Sequence, residues 1–328
     1  MRFRVLAYLV FAALALSPGL READATDGSK SLCRGQRYAV STVPHGASPY
    51  VRLTAKGVSG QFLFDYGSTK SSLTSIVFAS SHGSLGAGDL SVPGFKGGQF
   101  ALERGGFSSL PSGPLLGTIG TDLLSQLSVQ FTAGSVFLGK GTCPADRLRA
   151  LGFVPINQRG FFSSDIAAVD PGHANVPIVY VSFGGIRTFA QLDTGYDDLR
   201  YIHTIDINQA LFDRLIVSGA ELEQLDELRL ETCEGSETRK VYRMKNRHAV
   251  IEDEYAHPIL ATSDVVLSLK RPNGCGGIAA MSTPAAQLGA SFLGSFGTII
   301  FDGKSETVWL GGKPPVQSAA QLAAPSRR

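Results

Sequence analysis

Beyond its first two dozen residues this 328-residue chain has no apolar run long enough to cross a membrane. The exception at the front, Val5 to Leu16, follows Arg2 and Arg4, falls short of a comfortable bilayer span, and leads into the small residues Ala23-Asp24-Ala25. That is the pattern of an export signal over residues 1–25, with an uncleaved anchor as the competing reading. The remainder is expected to be exported, to a periplasmic or extracellular compartment, with no membrane partner. Charge is thin as well. Only 18 % of residues are charged, the net balance is +2, and the aromatics sit in apolar runs instead of between arginines, so no nucleic-acid surface is expected. No GxSxG, SxxK or HExxH occurs, which sets aside the usual serine and zinc hydrolases. Asp193, Asp197, Asp198 and Asp206 lack the spacing and central glycine of a calcium loop, so Asp197 and Asp198 read as solvated. No metal and no cofactor is expected.

What the chain does have is a pattern used twice. Phe62-Leu63-Phe64-Asp65-Tyr66-Gly67-Ser68-Thr69 is matched by Phe189-Ala190-Gln191-Leu192-Asp193-Thr194-Gly195. Each is followed later by a second shared block, Thr118-Ile119-Gly120-Thr121-Asp122-Leu123-Leu124 in the first half and Gln287-Leu288-Gly289-Ala290-Ser291-Phe292-Leu293 in the second. Before each aspartate the apolar alternation reads as a hairpin, Tyr50–Leu53 with Gly60–Phe64, then Val176–Val181 with Arg187–Leu192 around Gly184-Gly185. After each second block comes another strand pair, Ser128–Phe131 with Ser135–Leu138, and Thr298–Phe301 with Thr307–Leu310. The fold class is therefore all-β, built as a duplication.

The halves are not equal. Asp65 and Gly120 are 55 positions apart, Asp193 and Gly289 are 96, so the second half holds an insertion of about 40 residues. In it Asp206 is expected to cap a helix that Gly219 stops, and the charged stretch Glu221 to Glu254 to be partly helical and surface-lying. The domain reading is a first unit at 33–143, a link at 144–172, a second unit at 173–313 and a disordered tail at 314–328. Four cysteines in an exported chain make disulfides the default. Of three possible connectivities, Cys33 with Cys143 and Cys233 with Cys275 keeps each bridge inside one repeat. A zinc site of Cys233, His248, His257 and Cys275 competes with this, without CxxC or HxxxH spacing to support it.

A duplication that delivers one aspartate per half can bring two carboxyl groups together on a pseudo-twofold axis. Two such groups cannot both ionise cheaply, so they hold one proton between them over a wide pH range. The ionised partner can act as general base on a water, and the protonated partner can donate to a carbonyl oxygen as it becomes tetrahedral. The glycine after each aspartate lets the loop turn sharply and aims backbone N–H groups at the carboxylates.

On these motifs the chain resembles the aspartic peptidases of the pepsin and retropepsin kind, which are the standard example of proton sharing between carboxyls. The resemblance spans roughly Tyr50 to Gly312. It rests on Asp193-Thr194-Gly195, Asp65-Tyr66-Gly67-Ser68, the two later glycine blocks, and the tract from Gly289 to Gly311. It implies a bilobal fold of two related β-barrel-like lobes with a partly helical insertion in the second. It implies Asp65 and Asp193 as the catalytic pair, with Gly67, Ser68, Thr194 and Gly195 positioning them. The partner is an extended polypeptide in an interlobe cleft, and since both halves lie on one chain a monomer suffices. Gly94 to Phe100 is the candidate flap tip, with Phe95 or Phe100 touching substrate. Ser68 is expected to orient the outer oxygen of Asp65, while Tyr66 and Tyr196 depart from the pattern. The alternative is an exported, catalytically inactive protein of the same fold that binds a peptide or glycan.

Overall fold

The computed structural model describes residues 31–42, 46–103, 113–158, 176–198, 200–201, 203–232, 235–245, 247–263, 265–272, 274 and 277–311. The expected export signal, the expected tail, Cys233 and Cys275 lie outside the described residues. The chain is all-β. Its first half carries β1 (Gln36–Ser41), β2 (Tyr50–Ala55), β3 (Val58–Phe64), β4 (Ser72–Leu73), β5 (Ser84–Gly86), β6 (Gly97–Gln99), β7 (Ala101–Leu102), β8 (Leu115–Ile119), β9 (Ser128–Thr132) and β10 (Ser135–Gly139). The expected link holds a helix, Ala145–Ala150, and β11 (Phe153–Asn157). Then follow β12 (Ile178–Phe183), β13 (Ile186–Leu192), β14 (Thr204–Ile207), β15 (Glu221–Gln224), β16 (Leu228–Thr232), β17 (Gly235–Lys245), β18 (Ala249–Glu252), β19 (Pro258–Thr262), β20 (Val265–Leu269), β21 (Ala285–Leu288), β22 (Thr298–Asp302) and β23 (Thr307–Gly311).

The duplication read from sequence is a duplication of topology. β2 and β3 form an antiparallel hairpin, as do β12 and β13, and Gly184 and Gly185 at φ 58° and 92° supply the positive-φ turn that suits the twist of paired strands. β3 then pairs in parallel with β8, and β13 with β21. β4 pairs antiparallel with β8, and β14 with β21. Both aspartates thus leave a central strand at the same place, one residue beyond the Phe64–Ile119 and Leu192–Leu288 pairs.

The two halves meet in one sheet. Its path β11-β23-β22-β9-β10-β1 takes strands from both, and β9 faces β22 antiparallel with Gln130 opposite Ile300. Because residues 128–132 and 298–302 are repeat equivalents, this register puts a local twofold through that pair. The large core lines it on one side: Phe64, Tyr66, Leu124, Val129, Leu288, Phe292, Ile299 and Phe301 are all buried. A smaller cluster of Cys33, Cys143, Leu148, Phe153, Ile300 and Trp309 closes the other side. Cys33 and Cys143 form the expected disulfide, across 110 positions of chain. A loop of that length is constrained strongly in the unfolded state, by roughly 4–5 kcal/mol on the chain-entropy account.

Two expectations about the insertion need correcting. A helix is present at Gln209–Val217, but its N-cap is Asn208, whose side chain accepts from the Leu211 N–H at 3.0 Å. Asp206 lies two residues earlier on β14, fully buried, in an ion pair. The charged stretch after the helix is strand, not helix. In β17 residues 237, 239 and 241 point inward while their neighbours face out, which is the period of two that a sheet imposes. The charge that suggested a solvated face is carried inward by Glu237 and Arg239.

Candidate active site

Asp65 and Asp193 are brought together. The Asp65 N–H donates to the Ile119 carbonyl at 3.0 Å and the Asp193 N–H to the Leu288 carbonyl at 2.9 Å, so each loop is pinned to its neighbouring strand in the same way. The two carboxyls face each other across the axis, close enough that each acts on the other's proton affinity. Each rests over the glycine of the opposite loop. A Cβ added to Gly67 would fall 2.2 Å from Asp193 Cγ, and one added to Gly195 would fall 2.4 Å from Asp65 Cγ. No side chain fits either place, so glycine here is a requirement of close approach. Gly120 and Gly289 lie equally tight beneath the loops, against the backbone of Ser68 and Lys70 and against Tyr196.

Backbone amides supply the first layer of support. Gly67 N–H donates to Asp65 Oδ1 at 2.7 Å, and both Gly195 and Tyr196 N–H donate to Asp193 Oδ1 at 2.9 Å. Thr194 spans the axis. Its hydroxyl donates to the Phe64 carbonyl at 2.6 Å and accepts from the Tyr66 N–H at 3.0 Å. Because that bond uses the backbone N–H of residue 66, it does not depend on which side chain stands there. The Tyr66 ring is fully buried, stacked 3.7 Å from Phe301 and edge-on to Phe131, which are repeat equivalents in the shared sheet. Burial, reinforced by Asp302, pushes the Tyr66 phenol well above its ordinary range.

Ser68 is not placed as expected. Its hydroxyl donates to the Lys70 carbonyl at 2.9 Å, and only its backbone N–H supports Asp65. Phe100 is buried in the main core, and Phe95 packs half-buried beside it at 6.2 Å. Phe95 also lines a surface cavity of about 420 Å³ with Lys96, Lys140 and Lys304. As a core side chain, Phe100 does not present itself as a flap tip would. Asp197 is not merely solvated. It accepts from the backbone N–H groups of Ala47 and Ser48, tying the lead-in to β2 to the second aspartate loop.

Sequence reading missed a polar chain behind Asp193. Gln287 Nε2 donates to Asp193 Oδ2 at 2.6 Å, and its Oε1 accepts from Lys270 Nζ at 3.2 Å. Lys270 Nζ lies 3.6 Å from Asp206 Oδ2, which takes a 2.7 Å bond from Arg239, whose guanidinium also forks onto Glu237 at 3.0 and 3.2 Å. All five of these side chains are buried. One signal for it was available: Gln287 is a polar side chain in the otherwise apolar run Ala285 to Leu288 before Gly289.

Electrostatics separates the two aspartates. Desolvation, then the charge of Asp193 and the bond to it, hold the Asp65 carboxyl well above the usual range. Desolvation also raises Asp193, but its bond to Asp65 and the charge of Lys270 pull the other way. Among the described residues no group of His, Cys, Asp and Glu is arranged to hold a metal ion, and no helix is long and apolar enough to cross a membrane. The disulfide fits an oxidising compartment. No protein-family model matches the chain, and no curated protein matches it.

Proposed function

We propose that the chain is an exported aspartic endopeptidase whose two halves act as the two lobes of a pepsin-like fold, with Asp65 and Asp193 as the catalytic residues. The observation that carries this reading is the crossed seating of the two carboxyls, one from each repeat, each lying over the other loop's glycine. Carboxyls so placed share one proton, since the second ionisation puts like charges in contact.

The chemistry follows from that state. Water gives a proton to the ionised carboxylate as its oxygen bonds to the peptide carbonyl carbon, and the protonated carboxyl passes its proton to the carbonyl oxygen. Collapse of the resulting diol breaks the C–N bond. The leaving nitrogen takes the proton held by the base, and one diol hydroxyl returns a proton to the other carboxyl. The dyad ends as it began, with no covalent intermediate. The polypeptide lies extended between the halves and offers its backbone for hydrogen bonding.

Incubating purified protein with denatured substrate from acidic to neutral pH tests this. Cleavage is expected, with activity falling as pH rises through ionisation of the second carboxyl. A statine-type inhibitor is expected to block it, and Asp193→Asn to lower kcat on the order of 10²–10⁴-fold. Substrate intact at every pH overturns the peptidase reading. Measurable peptide or glycan affinity without turnover would then identify a binding protein.

A further inference from the structure

We propose that Gln287 and the buried cation behind it, Lys270, make the carboxyl pair directional, so that Asp193 carries the charge and Asp65 carries the shared proton. This assignment rests on the peptidase reading for its catalytic meaning, although proton placement itself is independent of turnover. It begins from an inequality between equivalent positions. Gln287 in β21 corresponds to Thr118 in β8, since each stands two residues before the glycine beneath its loop. Thr118 Oγ1 turns away to Glu103 Oε2 at 3.0 Å, an acceptor shared with the Ser72 hydroxyl. Gln287 instead points its amide at Asp193. The orientation of that amide is dictated by its neighbours: an ammonium demands the oxygen end, and a carboxylate the nitrogen end. Turned round, both contacts would become repulsive.

The groups surrounding the pair make the same point. Behind Asp193 stand Lys270, next after β20, Asp206 on β14, and Glu237 and Arg239 on β17. Two cations there face three carboxylates, counting Asp193. Asp206 and Glu237 take the forked bonds of Arg239, so Lys270 is shared between Asp206 and, through Gln287, Asp193. On the Asp65 side stand Tyr50 from β2, with Asp197 beyond it, and the exposed Lys70 further along the same loop. Among the described residues no cation is hydrogen-bonded or ion-paired to Asp65. A negative charge is therefore compensated at Asp193 and uncompensated at Asp65. Buried charges persist where such compensation and hydrogen bonding are present. Asp193 thus draws the water proton in the first step, and Asp65 protonates the carbonyl oxygen. Gln287 and Lys270 touch no substrate in this scheme; they are positioning residues.

The test reads proton affinity directly, by carboxyl ¹³C NMR of aspartate-labelled protein. Asp65→Asn leaves Asp193 as the lone dyad acid, and Asp193→Asn leaves Asp65. Adding Gln287→Met to each breaks the contact while nearly conserving volume. Lone Asp193 is expected to titrate about one pH unit higher, a tenfold change in proton affinity, and lone Asp65 to move by less than about a third of that. Gln287→Glu, which can still satisfy Lys270, is the second variant and is expected to raise lone Asp193 further. Thermal melts establish that each variant is folded. Equal shifts at the two aspartates, or none, overturn the proposal. An unequal response in a protein that cleaves nothing would support directionality while the peptidase reading fails. A protein that cleaves, with equal shifts, would do the reverse.

Discussion

The two aspartate loops share a backbone and differ in what stands behind them. The first is backed by an aromatic wedge: Tyr66 fills the space between the loop and the shared sheet, stacked on Phe301. The second is backed by charge, in a buried row from Gln287 through Lys270, Asp206 and Arg239 to Glu237. The backbone pseudo-symmetry brings two carboxyls into contact. Symmetric surroundings would leave the proton with no preferred home, whereas the reaction proposed here needs one acid and one base. The difference between the halves teaches that a duplicated scaffold sets geometry, and the unrepeated side chains assign roles.

That comparison breaks most visibly at Arg239. Its guanidinium is 4 % exposed and holds two carboxylates. Arg239→Met leaves Glu237 buried without its cation and Asp206 with Lys270 alone, which is expected to destabilise by about 3–5 kcal/mol. Urea unfolding followed by circular dichroism measures it. A loss below about 1 kcal/mol would show that the row is solvated and that the second loop does not depend on charge.

A smaller effect is expected at Thr194, where the two loops are joined. Thr194→Val conserves shape but leaves the Tyr66 N–H and the Phe64 carbonyl without the hydroxyl between them. The cost is expected to be about 1–3 kcal/mol, with a fall in kcat exceeding any rise in KM, because the carboxyl alignment loosens. Tyr66→Phe is the sharpening control. The bridge uses the backbone of residue 66, so this variant is expected to keep it and the activity with it. Loss of activity in Tyr66→Phe would show that the phenol, not the backbone, serves the site.

Much of this was legible in the sequence because it is written in short local patterns. Asp65 and Asp193, their glycines, the hairpins before them and the strand pairs after them each fall within a few consecutive residues, and they occur twice. The charged row was not legible, because its members lie far apart in sequence and meet only when β14, β17, β20 and β21 are laid side by side. The stretch 221–254 misled for a related reason: charge density suggested a surface helix, while the inward period of two at Glu237, Arg239 and Val241 was the stronger signal. Phe100 misled because glycines around aromatics suit a mobile tip, but it is core filling, whereas Phe95 stays half-buried at a surface cavity. At Ser68 the residue type was right for the expected role, and the hydroxyl simply has a nearer acceptor in Lys70.

The smallest predicted effect, and the most direct comparison of the halves, is in the pH dependence of stability. Both aspartates have native proton affinities raised above their unfolded values, Asp65 the more strongly. A carboxyl raised in this way contributes stability that is fully present below the unfolded value, near 4, and lost as pH climbs through the native one. Wild-type protein is therefore expected to lose thermal stability as pH rises from about 4 through that window. Asp193→Asn leaves Asp65, to which no cation is bonded among the described residues, and is expected to keep a clear downward slope of Tm with pH. Asp65→Asn leaves Asp193 against Gln287 and Lys270, and is expected to be nearly flat. Melts across that range in the two variants decide the matter: the same slope in both would mean that the row behind the second loop does not reach its carboxylate, and that the dyad is symmetric in charge as well as in backbone.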